Sequence, residues 1–340
     1  MESVPPQALV DQGHEVTLFA SGDSMTSAKL VSCSTQALRL HYPGQDPTPY
    51  YMIMLEKVRR LERNFDIIHF HIDQYQFPIF RDIARKTVTT LHGRQDIPGL
   101  RSLYTEFSEM PLVAISDAQR GPLPEMDQVV TIPHGLPHNL LQPILTPRGG
   151  YLAFVGRISP EKRVDRAIRI ATSAGLPIKI AAKVDKVDQE YFKSEIEPML
   201  QHPLVEFVGE IDERRKHSFL GEARALLFPI DWPEPFGLVM IEAMACGTPV
   251  LAFRNGSVAE VIDEGVTGYI VDNEREAVCR LGALLALDRL HVRRRFEERF
   301  TAHRMAKDYV KVYSLLLARG GLRRASASPS SSSRQVALGS

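Results

Sequence analysis

The sequence predicts an α/β protein of two doubly wound lobes, and three observations carry that expectation. Short apolar runs alternate with helical patterns along most of the chain, the signature of parallel sheets covered by helices. Residues 142–150 are rich in Pro and Gly and read as a linker between the lobes. The chain has 340 residues, enough for two separate cores.

The first lobe is expected over residues 1–145. Residues 7–13 read as the end of a helix, and strands follow near 14–20, 65–71, 87–92, 112–115 and 128–131. A helix is expected over 51–63. The second lobe, 146–301, repeats the alternation, with strands near 151–155, 178–183, 204–208, 224–229, 249–253 and 268–271. A last helix, over about 302–319, carries Met305, Tyr309, Val312 and Leu316 at helical spacing. Beyond it come Gly320-Gly321 and a Ser-rich tract, so residues 320–340 are expected to form a disordered tail.

Composition excludes several classes. Hydrophobic residues make up 44% and charged residues 24%, which is ordinary for a water-soluble globular chain. Lys and Arg balance Asp and Glu at 41 each, so no nucleic-acid partner is indicated. The three cysteines, Cys33, Cys246 and Cys279, are widely spaced and form no CxxC pair. Neither a disulfide framework nor a zinc site is expected, which suits a reducing cytoplasm. No run of 18 apolar residues exists to span a membrane, and the first residues do not read as a signal peptide. The run Arg293-Arg294-Arg295 with Arg299 reads as a solvated face, with peripheral membrane contact as its lesser role.

Two segments carry the chemistry. In the first, Glu234 and Glu242 bracket the start of a helix. Pro235 suits its first position, Gly237 allows close approach of a ligand, and Gly247 suits the residue past its end. A helix N-terminus favours a phosphate, and carboxylates on either side of it accept hydrogen bonds from hydroxyls. An anionic, polyhydroxylated ligand fits that pattern; two ordinary surface acids on a solvated helix is the plainer reading. In the second segment the apolar run 151–155 leads into Gly156-Arg157-Ile158-Ser159-Pro160-Glu161-Lys162. Ser159 reads as an N-cap and Pro160 as the first helical residue. Arg157 then stands at the carboxyl end of a strand, where open parallel sheets bind ligands. Arg157 and Lys162 can neutralise a diphosphate without a metal, or simply pair with neighbouring acids.

Taken together, Gly156-Arg157…Glu161-Lys162, Glu234-x7-Glu242, Gly247-Thr248-Pro249-Val250 and Gly265-Val266-Thr267-Gly268 resemble the family 4 glycosyltransferases of the GT-B superfamily. The resemblance covers about residues 8–318. It implies two Rossmann-like lobes facing a cleft, a last helix that crosses back to the first lobe, and sugar transfer with retention from a nucleoside diphosphate sugar, expected to be UDP-linked. The acceptor would be a glycan, a lipid or a small molecule. No separate cofactor is implied. No DxD triplet is present to hold a metal on the diphosphate, since Asp185-Lys186-Val187-Asp188 has the wrong spacing.

By that resemblance His92, Arg157, Lys162 and Glu234 form the catalytic set. Gly156, Phe236, Gly237, Leu238, Glu242 and Ile211 bind the donor. Glu234 would take the sugar hydroxyls and Glu242 the ribose hydroxyls, with the base near residues 208–211. His92 would contact the sugar near the reacting carbon. His71 ends another strand and Ser116 a third, so both are candidates for the ligand edge; a structural histidine and a simple N-cap are the alternatives.

One departure from the pattern stands out. Family members open with a buried strand, a glycine loop and a long helix, whereas this sequence reaches residues 7–13 at once. The first lobe is therefore expected to lack its opening strand, leaving neighbouring strands unpaired at a severe cost. A catalytically impaired sugar-nucleotide-binding remnant is the alternative this suggests, and a nucleotide-sugar epimerase of the same architecture is another. A dinucleotide oxidoreductase is disfavoured, because no G-x-G-x-x-G follows a strand.

Overall fold

The computed structural model describes residues 6–38, 46–319 and 335–339. The chain divides into two compact units, one made of residues 1–135 with 302–340 and the other of residues 136–301. The division falls at Gly135, ahead of the Pro- and Gly-rich stretch at 142–150. That stretch is held inside the second unit: the Ile144 N–H donates to Cys246 O (3.0 Å), and the Arg148 N–H donates to a Glu222 carboxylate oxygen (2.6 Å).

The second unit is built from consecutive segments. Its six strands are β7 (Leu152–Arg157), β8 (Ile178–Lys183), β9 (Val205–Gly209), β10 (Ala225–Phe228), β11 (Val250–Phe253) and β12 (Gly268–Val271). They pair in the order β12-β11-β10-β7-β8-β9, all parallel. The strands inside the sheet are largely buried on both faces and read as near-continuous apolar runs, while the edge strand β9 is only partly buried. The chain starts at β7, winds outward through β8 and β9, and returns to wind the other way from β10. The direction reverses between β7 and β10, which is where ligands settle on such sheets. Helix Val164–Ser173 buries Val164, Ile168 and Ala171, which recur at helical spacing, in the core of this unit.

The first unit has seven strands: β1 (Glu15–Ser21), β2 (Lys29–Ser34), β3 (Ile67–Phe70), β4 (Thr87–Thr90), β5 (Leu112–Ala114), β6 (Val129–Thr131) and β13 (Gln335–Gly339). Their order is β2-β1-β13-β3-β4-β5-β6, again all parallel. Here two expectations fail. Residues 335–339 are not part of a disordered tail, and the position beside β1 is not empty. β13 lies between β1 and β3 and satisfies the backbone of both. Its side chains alternate as a doubly covered strand requires. Val336 and Leu338 pack with Val16, Leu18, Ile67 and the helix Ala302–Arg319; Ala337 packs with Met54, Leu55, Val58 and Phe70. The other residues of the expected tail, 320–334 and 340, lie outside the described residues.

The helix Ala302–Arg319 belongs to the core of the first unit, burying Met305, Tyr309, Tyr313 and Leu316. A third correction concerns the arginine run. Arg293 is not solvated; it is 3% exposed. Its guanidinium donates to Ala245 O (2.6 Å), Leu141 O (2.8 Å) and His138 O (3.0 Å). Ala245 ends the helix Leu238–Ala245, so a cation is drawn to that helix's free carbonyls. Neighbouring Arg289 does the same for Cys246 O and Gly221 O, and burial lowers its guanidinium to about 10. No helix among the described residues is long and apolar enough to cross a membrane.

Candidate functional site

In the second unit the predicted residues gather at the reversal point between β7 and β10. Gly156 and Arg157 are the last two residues of β7. Ser159-Pro160-Glu161-Lys162 forms a short 3-10 turn rather than the start of the long helix, because Arg163 breaks the run at φ +53°. Lys162 thus closes a tight turn instead of lying within a helix. Arg163 and Asp73 are the two non-glycine residues at positive φ among the described residues, and each adjoins a candidate site.

The turn aims Lys162 at Glu234. Its ammonium forms an ion pair with Glu234 Oε2 and sits 4.6 Å from the centre of the Trp232 ring. The same oxygen accepts from Trp232 Nε1 (2.9 Å). Lys162 therefore has an anion on one side and an aromatic face on the other. Glu234 is 9% exposed, and this ion pair and the Trp232 N–H are its partners in that buried position. Arg157 is ringed by acids: Glu161 at 2.5 Å, Asp185 at 3.7 Å and Asp188 at 3.8 Å. The pairing with neighbouring acids that the sequence left open is present for both cations.

The loop carrying Trp232 and Glu234 is braced by residues that sequence reasoning missed. Asn255 Nδ2 donates to Ile230 O (2.9 Å), the Ser257 N–H donates to Glu234 O (3.0 Å), and Ser257 Oγ donates to Phe236 O (2.9 Å). Gly256 lies so close that a Cβ there would fall 2.3 Å from Glu234 O. Its signal in the sequence was the Asn-Gly-Ser turn after β11, which carries no periodicity.

Phe236 is buried, and Gly237 caps the helix at φ +78°, so the helix begins at Leu238 and not at Pro235. That left-handed φ explains the glycine, and a side chain there would also crowd Phe228 at 3.1 Å. Glu242 lies more than a turn inside. It is 3% exposed and paired with Lys216 Nζ at 3.0 Å. Burial pushes the Glu242 carboxyl up, and Lys216 pulls it part of the way back. Charge continues past the site: burial alone would raise the Asp165 carboxyl, but Arg163 and Arg169 outweigh it and hold it at about 2. Ile211 follows β9 in a loop, half-buried.

The first unit holds a different assembly, a string of histidines at the carboxyl edge of its sheet. His71 Nδ1 is 3.0 Å from His92 Nε2. The His92 ring stacks on His134 with centres 5.5 Å apart and planes 4° from parallel. Behind them lies His69, fully buried, with its ring centre 4.2 Å from that of His71. Helix Ala302–Arg319 completes the group. His69 Nδ1 is 2.8 Å from Tyr313 Oη, His69 Nε2 is 2.7 Å from Thr90 Oγ1, and Thr90 Oγ1 is 2.8 Å from Tyr309 Oη.

Burial holds these imidazoles neutral: His69 falls to about 3, His134 to about 3, His92 to about 4, and His71 well below its ordinary value. His71 and His92 are brought together as the strand-end argument expects; the parts of His69, Tyr309 and Tyr313 were missed. Tyr309 reads simply as part of the apolar face of a helix, and Tyr313 is not among the residues named on that face. Ser116 is an N-cap, its Oγ accepting from the Gln119 N–H (3.0 Å). Gln119 reaches the loop of His92 through Leu91 O (3.1 Å) and Gly93 O (2.8 Å). Among the described residues no group of three or more His, Cys, Asp or Glu is arranged to hold a metal ion.

Comparison with known proteins agrees with this architecture. The model of glycosyltransferase family 4 matches residues 7–142, and that of glycosyl transferases group 1 matches residues 145–300. A D-inositol 3-phosphate glycosyltransferase of Catenulispora acidiphila is 36% identical over 139 residues, 37% of this chain and 32% of that protein. A phosphatidyl-myo-inositol mannosyltransferase of Mycobacterium leprae is 32% identical over 119 residues, 35% of this chain and 30% of that protein. The chain thus spans about a third of the length of the curated relatives it matches. Among solved structures, AviGT4, a glycosyltransferase of avilamycin A biosynthesis, is similar with a TM-score of 0.65 at 25% identity, covering 92% of this chain and 87% of that one. The sucrose-phosphate synthase of Thermosynechococcus elongatus shares the fold with a TM-score of 0.73 at 19% identity, over 92% of both chains. Anabaena HepE, solved with UDP and glucose, shares it with a TM-score of 0.65 at 17% identity, over 88% of this chain and 99% of that one.

Proposed function

The chain belongs to the group 1, family 4 glycosyltransferases, and from that premise we propose that it moves a sugar from a UDP-linked donor to a hydroxyl acceptor, with retention and without a metal. The observation that carries this reading is the cluster of Arg157, Lys162, Glu234 and the Gly237 helix start at the reversal point of the second sheet.

In this reading the donor diphosphate draws Arg157 and Lys162 away from their present acids. It also takes N–H groups at the start of the helix Leu238–Ala245. Glu234, released from Lys162, accepts hydrogen bonds from sugar hydroxyls, and Glu242 accepts them from the ribose. The anomeric C–O bond breaks and its electron pair stays on the diphosphate oxygen, while an oxocarbenium-like centre develops on the sugar. The two cations and the N–H dipoles stabilise that departing charge. The acceptor oxygen attacks from the face the diphosphate leaves, and its proton passes to the diphosphate oxygen, so configuration is retained. His92, held neutral, serves as a hydrogen-bonding group to the sugar and not as a cation. UDP is the nucleotide found with HepE, a relative by fold, which makes it the first to try. The acceptor class stays open among glycans, lipids and small molecules.

Incubating the full chain with UDP-glucose and related donors, and following UDP release, tests the reading. Lys162→Ala and Glu234→Gln should each cut turnover on the order of 10²–10³-fold, and EDTA should leave it unchanged. Turnover undiminished in both variants would overturn the assignment. The anomeric configuration of the product, read by NMR, decides retention.

A further inference from the structure

We propose that Trp232 is a positioning residue for the donor sugar: its indole N–H holds Glu234 by Oε2 and so keeps Oε1 for the sugar's hydroxyls, while its ring keeps the Lys162 ammonium beside the site until a diphosphate takes it. This role rests on the donor reading above, whose transfer scheme leaves Trp232 without a part.

The loop fixes the indole from both ends. The Glu234 N–H donates back to Trp232 O (2.8 Å), so residues 232–234 form a tight turn that brings the two side chains together. Ahead of that turn the Asp231 N–H donates to Glu161 O (2.8 Å), which ties the loop to the 3-10 turn ending in Lys162. Ile230 O is held by Asn255 and Glu234 O by Ser257. The half-buried indole thus stands between two anchored carbonyls, and it is the one tryptophan of the chain.

Both side-chain partners of Glu234 sit on the same oxygen. The Lys162 ammonium and the Trp232 N–H meet Oε2, and among the described residues Oε1 takes no hydrogen bond. A carboxylate can keep one oxygen in the protein and offer the other to a ligand. Once Lys162 turns to a diphosphate, the indole N–H is what still holds this buried carboxylate. Without it, Glu234 would lose its protein partners as the ligand arrives, at the cost of an unpaired buried charge. A hydrogen bond to an ionised acceptor is also a directional one, so it sets where Oε1 points.

Lys162 is held in a way that lets it leave. Its ammonium lies 4.6 Å from the centre of the Trp232 ring and 5.9 Å from that of Phe228. Among the described residues it has one carboxylate partner, Glu234, whereas Arg157 has three. An ammonium kept by one anion and by aromatic faces gives up less on moving to a diphosphate than a cation ringed by acids.

The one tryptophan makes the contact visible without a ligand. In isotope-labelled full chain the indole gives a single N–H resonance. We expect it downfield and slow to exchange with water, and we expect Glu234→Ala to move it upfield and speed its exchange. A resonance unmoved by that change would overturn the proposal. Trp232→Phe then keeps a ring for Lys162 and removes the N–H. It should bind UDP as the unaltered chain does, lose the extra affinity that glucose gives UDP-glucose, and release UDP from UDP-glucose on the order of 10–10²-fold more slowly. Transfer at full rate in Trp232→Phe would overturn the proposal. So would equal weakening of UDP and UDP-glucose with a lowered melting temperature, which is what a merely structural indole predicts. Failure of the donor reading looks different: the unaltered chain then binds neither UDP nor UDP-glucose, and the sugar role of Trp232 falls with it even where the indole resonance responds to Glu234→Ala.

Discussion

The two units share a parallel, helix-covered sheet but differ in how the sheet is closed. The second draws its six strands from one continuous stretch, residues 136–301. The first needs β13, from beyond residue 334, to join β1 to β3. Their ligand edges differ as well. The second presents ion pairs, Lys162 with Glu234 and Lys216 with Glu242. The first presents imidazoles held neutral beside tyrosine hydroxyls. On the proposed reading, one edge would bind and release an anion by exchanging partners, and the other would hydrogen-bond without charge. Similar topology thus yields two different chemistries, and only one of the two sheets depends on a contact that spans almost the whole sequence.

The largest effect should come from that contact. Leu338→Asp buries an unpaired carboxylate in the first unit and should cost about 3–5 kcal/mol, lowering the first melting transition while nucleotide binding by the second unit persists. Simultaneous loss of both would show that the sheets do not differ in this way. Next come the ion pairs. Gly256→Ala forces a methyl against Glu234 O and should lower turnover with little change in the melting of the first unit, as calorimetry and donor assays on one preparation would show. Arg293→Ala leaves the carbonyls of Ala245, Leu141 and His138 without their donor and should cost about 1–3 kcal/mol, confined to the second unit. Ala337→Leu overpacks the first unit by a similar amount or less, about 1–3 kcal/mol.

The pH dependence separates the units most gently. His69, His92 and His134 have folded-state values near 3 to 4, below the ordinary 6.5, so the unfolded chain binds protons first. Stability of the first unit is intact above about pH 6.5 and falls as pH drops toward 4, by about 1.4 kcal/mol per pH unit for a fully buried histidine such as His69. Melting scans from pH 7.5 to 4.5 should show the first transition moving first. A second-unit transition that shifts as much would erase the distinction.

Much of this was legible in the sequence, for identifiable reasons. Strands buried on both faces leave apolar runs, so β7 to β12 could be placed to within a residue or two. Glycines at positive φ mark the ends of the helix around Glu242. What escaped notice was set by long-range pairing. Val336-Ala337-Leu338 is too short a run to stand out beside a Ser-rich tract, and only its partners β1 and β3 make it a strand. Arg293 looks like any surface cation until the carbonyls at the end of the helix Leu238–Ala245 are seen around it. Lys162 and Glu234 could each be named, but their meeting depends on the break at Arg163, and nothing in the pattern Ser-Pro-Glu-Lys-Arg announces a left-handed residue.

The proposed transfer reaction requires, before anything else, that the second unit bind a nucleoside diphosphate. Thermal melting of the full chain and of Lys162→Ala against UDP, GDP, ADP and their glucose conjugates measures that directly. The account predicts that one nucleotide series stabilises the full chain, by about 2.7 kcal/mol at 100 times its Kd, and stabilises the Lys162→Ala chain much less. A clean melt that none of these ligands moves would contradict it.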